Sequence, residues 1–162
     1  MNREIYTTRN YQISHILSHI NSNEIVIPEI QRPFVWKKKQ VRDLLDSLFK
    51  GYPIGYIIIW NNPNVKLKDG KMSSGKMVII DGQQRITALM TAIAGKKIID
   101  EKYQSCRYKI AFNPFEALSE DDSAEIFAVQ TPAHLKSKNW IPDIAELFSE
   151  NFSPISFVRK YC

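Results

Sequence analysis

Met77-Val78-Ile79-Ile80-Asp81-Gly82-Gln83-Gln84-Arg85-Ile86-Thr87-Ala88-Leu89 is the stretch on which the reading of this 162-residue chain turns. Its first four residues are apolar and mostly β-branched, which predicts a buried strand. From Gly82 to Ile93 the period becomes helical, with Ile86, Leu89, Met90 and Ile93 on the inward face. A strand that ends in Asp-Gly and passes at once into a helix leaves the first N–H groups of that helix without intrahelical partners. They lie at the positive end of its dipole, where an anion is stabilised. Gly82 has no side chain to obstruct a ligand approaching the backbone. The amides of Gln83 and Gln84 can donate to phosphate or ribose oxygens, and Arg85 can hold a phosphate through two parallel hydrogen bonds. A plainer reading makes Asp81 the helix cap and Arg85 half of a surface ion pair, since Asp is a preferred N-cap. Two glutamines and an arginine are not needed for capping, and they shift the balance toward a ligand site.

Upstream, Tyr56 to Trp60 is β-rich and apolar without alternation, which predicts a second strand buried on both faces. The intervening Asn61–Lys76 stretch, rich in Asn, Lys, Gly and Ser, reads as a flexible connection. Trp36 to Lys50 is the clearest helix, with Val41, Leu44, Leu45, Leu48 and Phe49 in one apolar stripe and Gly51 placed to end it. Tyr11 to Ile20 is a shorter amphipathic helix, and Glu24 to Ile27 a short strand stopped by Pro28. Downstream, Arg107 to Phe112 and Ala124 to Val129 read as strands, and Trp140 to Phe148 as a short amphipathic helix. The expected fold is α/β (or α+β), a single domain over residues 1–162 with a small mixed sheet. Residues 57–60 and 77–80 are expected at its centre, and the helix at Gly82 at its carboxyl edge. There Asp81, Arg85, Gln31 and Arg32 are expected to share one crevice.

The segment Ile27-Pro28-Glu29-Ile30-Gln31-Arg32-Pro33-Phe34-Val35-Trp36 is stiffened by two prolines. It can present Gln31 and Arg32 beside Phe34 and Trp36 to a nucleotide, or it can be an ordered connection whose aromatics join the core. The second reading is favoured for this segment taken alone. Lys37, Lys38, Lys39 and Arg42 form the densest positive cluster, either a solvated helix face or a contact for the phosphates of DNA.

Composition excludes several classes. Apolar residues make up 44% of the chain, charged residues 24%, and there are six glycines and eight prolines, which fits a folded core rather than disorder. Lys and Arg outnumber Asp and Glu by 22 to 17, a modest bias toward anionic partners. No apolar run approaches the ~20 residues of a membrane span, and Met1–Ile5 does not resemble an export signal. The two cysteines, Cys106 and Cys162, match no metal spacing or disulfide framework, so a cytoplasmic protein is expected. His15 and His19 stand four apart on one helix, but nothing nearby completes a metal site, and His134 stands alone. P-loop, Gly-x-Ser-x-Gly, His-Glu-x-x-His, Cys-x-x-Cys and His-Asn-His nuclease patterns are absent.

Taken together, Ile27-Pro28-x-x-Gln31-Arg32-x-x-x-Trp36, Gly51-Tyr52-Pro53-Ile54-Gly55 and Asp81-Gly82-Gln83-Gln84-Arg85 followed by Ile86-Thr87-Ala88-Leu89 resemble a bacterial family. It is the N-terminal domain of GmrSD-type, modification-dependent restriction proteins, found also in phosphorothioate-sensing phage-defence proteins and placed in the ParB/sulfiredoxin-like superfamily. The resemblance covers roughly residues 10 to 150. It implies binding and hydrolysis of a nucleoside triphosphate with Mg²⁺, with nucleotide contacts at Asp81, Gly82, Gln83, Gln84 and Arg85. Asp81 and Arg85 would serve the chemistry, and Gln31 and Arg32 a supporting role. It also implies a DNA partner, modified or unmodified, and a His-Asn-His nuclease domain. Since residues 1–162 have no room for that domain, it is expected on another chain or in a longer protein. The alternatives are a ParB-like DNA-binding module without catalysis, and an inactive remnant or partner subunit.

Overall fold

The computed structural model of the protein describes residues 6–27, 33–61, 70, 75–119, 121, 123–149 and 151–161. Gln31, Arg32 and most of the Asn61–Lys76 connection lie outside the described residues. Helices and small sheets intermix, as expected of an α/β fold. The chain forms two compact units, Met1–Ile30 with Ile59–Ile79, and Gln31–Ile58 with Ile80–Cys162. Among the described residues no helix is long and apolar enough to cross a membrane.

The first unit contains α1 (Ile13–Asn21), β1 (Ile25–Val26) and most of β2 (Ile58–Asn61) and β3 (Met77–Asp81). These strands make one sheet in the order β1-β3-β2, with β1 parallel to β3 and Ile25 opposite Met77. The helical spacing of α1 puts Leu17 and Ile20 inward, and with Ile25, Val78 and Ile79 they are the buried apolar residues of this unit among the described residues. β3 is central, as expected. β2 is not: it lies at the sheet edge, with Ile58 51% and Trp60 50% exposed. An uninterrupted apolar run is compatible with burial on two faces, but an edge strand has neighbours on one side only. Ile80 likewise departs from the expected burial, at 54% exposure.

The second unit is built around α2 (Lys38–Phe49) and α3 (Gln83–Ala92), which pack on each other. The α2 stripe of Val41, Leu44 and Leu45 is buried, and α2 also packs on the antiparallel pair β6 (Ile110–Phe112) and β7 (Phe127–Val129). Burial of each such Leu or Ile contributes about 1.5–3 kcal/mol. Phe49 leaves the stripe half exposed, with its ring 5.8 Å from Phe127. As expected, Gly51 terminates α2: its N–H donates to Leu48 O (3.2 Å) and that of Tyr52 to Ser47 O (2.8 Å), the paired bonds of a Schellman end. In α3, Ile86, Ala88, Leu89 and Ala92 are buried, followed by Ile93. The buried Thr91 hydroxyl accepts from the Tyr108 N–H at 2.9 Å and so ties α3 to the segment entering β6.

A second antiparallel pair, β4 (Ile98–Ile99) and β5 (Ser105–Cys106), turns around Asp100, whose carboxylate accepts from the N–H groups of Lys102 and Gln104. The expected helix over Trp140–Phe148 is instead a single bridge of Ile141 to Phe112 followed by a 3-10 turn, Ile144–Phe148. Asp143 is responsible: its carboxylate caps Ala145 N–H at 3.2 Å and holds Arg107, so the helical turn starts only after it. Two further helices, α4 (Pro132–Lys136) and α5 (Pro154–Tyr161), were not foreseen.

Candidate anion site at the start of α3

The β3–α3 junction is as abrupt as the sequence suggests. Asp81 is the last residue of β3, and the N-cap of α3 is Gly82, with φ +90° and ψ 9°. Asp81 is therefore not the N-cap residue; Gly82 has no side chain with which to cap, and the first turn contains no acidic residue. The N–H groups of that turn, which lack intrahelical partners, follow a cap residue with no side chain. Glycine is required at 82 for two reasons. The left-handed backbone disfavours an L side chain. A Cβ would also lie 3.1 Å from Ile57 Cγ1 and 3.3 Å from Ile57 Cα. The close approach that the sequence suggested for a ligand is thus made on one side by the protein's own chain.

Gln84 and Arg85 are anchored to main chain. Gln84 Oε1 accepts from Val35 N–H at 3.0 Å, and its Nε2 donates to Pro33 O at 3.3 Å. Pro33 directly follows Arg32 in the sequence, and its carbonyl is fastened to the first turn of α3. Arg85 Nη1 donates to Ile54 O at 2.6 Å, and Nη2 lies 3.2 Å from Asp81 Oδ2. The Arg85 side chain is 17% exposed and that of Asp81 66%. The guanidinium lies close against the 54–55 backbone, where a Cβ at Gly55 (φ +84°) would come within 2.7 Å of Nη1. Gln83 is buried in the same turn. Asp81, Gly82, Gln83, Gln84 and Arg85 are thus gathered at one helix start, while Gln31 and Arg32 lie outside the described residues. The 54–55 segment was missed as part of the site, although Pro53 and Gly55 already mark it in the sequence as an irregular connection.

The other candidate residues divide differently. Phe34 is 4% exposed, with its ring 5.7 Å from Tyr108 and 6.5 Å from Trp36, so it joins the core rather than a stacking surface. Lys37, Lys38 and Lys39 are exposed at the start of α2, where positive charge opposes the helix dipole. Lys38 Nζ sits 5.7 Å above the Tyr108 ring, and Arg42 pairs with Asp43 at 2.7 Å. His19 bonds Glu24, and that bond holds the Glu24 carboxyl below its ordinary range. His134 stacks on Trp140 with 4.7 Å between ring centres. Cys106 is a free thiol, and burial pushes its pKa up. Among the described residues no three His, Cys, Asp or Glu side chains form a group that could hold a metal ion.

Comparison with known proteins bears on this junction. A protein of Methanocaldococcus jannaschii, described as uncharacterized, is 25% identical over an alignment covering 85% of this chain and 27% of the relative. The chain thus spans about a quarter of that protein's length. The family model for the GmrSD restriction endonuclease, N-terminal domain, matches residues 13–156. That range takes in both compact units and every described element from α1 to the start of α5. The chain therefore belongs to the family of N-terminal domains of GmrSD restriction endonucleases.

Proposed function

We propose that this domain binds and hydrolyses a nucleoside triphosphate, and that it regulates a phage-defence restriction protein through that cycle. The observation that carries the reading is the start of α3: a helix N-terminus with a glycine cap, no side-chain cap and no acidic residue in its first turn. Such an end favours negative charge through the positive end of its helix dipole. Arg85 stands beside it, held at Ile54 O by Nη1, while Nη2 has only a 3.2 Å contact with an exposed carboxylate to exchange for a phosphate oxygen. Gln84 acts as a positioning residue, since its amide is committed to residues 33 and 35.

A Mg²⁺ carried by the triphosphate would find Asp81 as its protein ligand here. Asp81 is mostly exposed, and a metal there would draw most of its ligands from phosphates and water, as Mg²⁺ commonly does. Bound at Asp81, it would supply positive charge to the phosphate oxygens during transfer. The chain's own residues supply the rest: α3 and Arg85 seat the phosphates, and Asp81 orients what faces the terminal one.

The test pairs two substitutions and two readouts. Asp81→Asn should leave triphosphate affinity within a few-fold while lowering phosphate release at least about tenfold. Arg85→Ala should weaken binding itself, because a charge-assisted contact is lost. Equal turnover in wild type and Asp81→Asn, with binding intact, would remove Asp81 from the chemistry. It would leave a binding module without catalysis.

A further inference from the structure

A cleft of about 420 Å³ in the second unit gathers Lys109, Lys136, Lys138 and Lys160, with Asp143 and Glu146 as its acidic residues. Lysines scattered through the sequence reach it from the approach to β6, from the end of α4 and the residues after it, and from α5. Both carboxylates are already engaged, Asp143 by Arg107 Nη2 and Glu146 by Lys160 Nζ, each at 2.8 Å. Lys109, Lys136 and Lys138 have no ion-pair partner among the described residues. Three uncompensated ammonium groups around one concavity raise its potential and favour an anion there. No aromatic ring lines the cleft among the described residues, so it offers no platform for a base. Lysine is a compact charge with rotatable donors, suited to phosphate oxygens in variable geometry and not to reading base edges.

The geometry points to a phosphate-backbone site in this cleft, one that takes duplex DNA without regard to its sequence. The cleft is open and its lysines come from three separate segments of the chain, which suits a continuous strand of phosphodiesters better than one compact phosphate. It shares no residue with the start of α3, so it goes beyond the triphosphate reading and stands or falls separately.

The experiment is fluorescence anisotropy of the full chain with a labelled 20-base-pair duplex, titrated across salt concentrations. Three variants are compared: wild type, Lys109→Ala/Lys136→Ala/Lys138→Ala, and Lys37→Ala/Lys38→Ala/Lys39→Ala. Both triples remove three exposed charges, so net charge is matched. The cleft triple should lower the log–log salt slope by about 2.7, at about 0.9 per phosphate contact, and the α2 triple should lower it less. An unchanged slope in the cleft triple, or an equal fall in both, would overturn the site. So would binding of inorganic triphosphate to the cleft in place of duplex, read as competition lost only in the cleft triple. The melting temperature of each variant, measured alongside, verifies that the mutated protein is folded. The response of that temperature to nucleotide, which should be unaltered in the cleft triple, keeps the two proposals distinguishable.

Discussion

Arg85 reaches Ile54 O at 2.6 Å and Gln84 holds the main chain of residues 33 and 35, so each side chain ties a separate loop to the first turn of α3. A hydrogen bond from a charged group contributes about 1.5–3 kcal/mol, which makes Arg85 a structural residue as well as a candidate ligand contact. Lysine could supply the charge but not a two-pronged fork that spans Ile54 O and Asp81. Gly82 is the residue on which the junction depends most narrowly. Gly82→Ala forces a methyl group into a left-handed backbone and within 3.1 Å of Ile57 Cγ1. Destabilisation of about 1–3 kcal/mol is expected. For a chain of this length that lowers the melting temperature by roughly 2–4 °C per kcal/mol. Scanning calorimetry checks it, and an unshifted melting temperature would mean that the 57–82 contact relaxes freely.

Among the elements, the 3-10 turn Ile144–Phe148 depends on Asp143, which is 7% exposed and bound to both Arg107 and Ala145 N–H. Asp143→Ala strips the partner from a half-buried guanidinium packed against Gly95, and a loss of about 3 kcal/mol is expected in urea unfolding. A loss below 1 kcal/mol would show that Arg107 finds water instead. The same element shows why some of the fold was legible in the sequence and some was not. α1, α2 and α3 carry apolar residues at helical spacing, and most of their buried residues lie on the faces that spacing implies, though Ile13, Ile16, Leu48 and Met90 are only partly buried and Phe49 is exposed. The 140–148 stretch has comparable spacing, yet Asp143, held by Arg107 from 36 residues away and capping Ala145 N–H, starts the helical turn only after position 143. β2 was legible as a strand but not as an edge, because neighbours are set by topology rather than by composition. α4 and α5 were missed although both begin with proline after Thr131 or Ser153, a recognised start signal. At the site, the clustering of Asp81, Gly82, Gln83, Gln84 and Arg85 was legible because the residues are contiguous. The anchoring of Gln84 to residues 33 and 35 was not, since the contact spans about fifty positions.

At the scale of the whole molecule, the chain places a glycine-capped helix start in the second unit, fastened to the loops on either side of α2. Membership of the GmrSD N-terminal family sets the context in which a triphosphate-driven switch would act. Ligand binding to a folded site stabilises the fold, and at 100 times the dissociation constant the gain is about 2.7 kcal/mol. For this length that corresponds to a rise in melting temperature of about 5–10 °C. The most direct measurement is therefore thermal unfolding of wild type and Arg85→Ala against each of the four ribonucleoside triphosphates with Mg²⁺. At least one triphosphate should raise the wild-type melting temperature by several degrees and leave Arg85→Ala nearly unmoved. No shift with any of the four, or equal shifts in both proteins, would contradict the assignment of a nucleotide site to the start of α3.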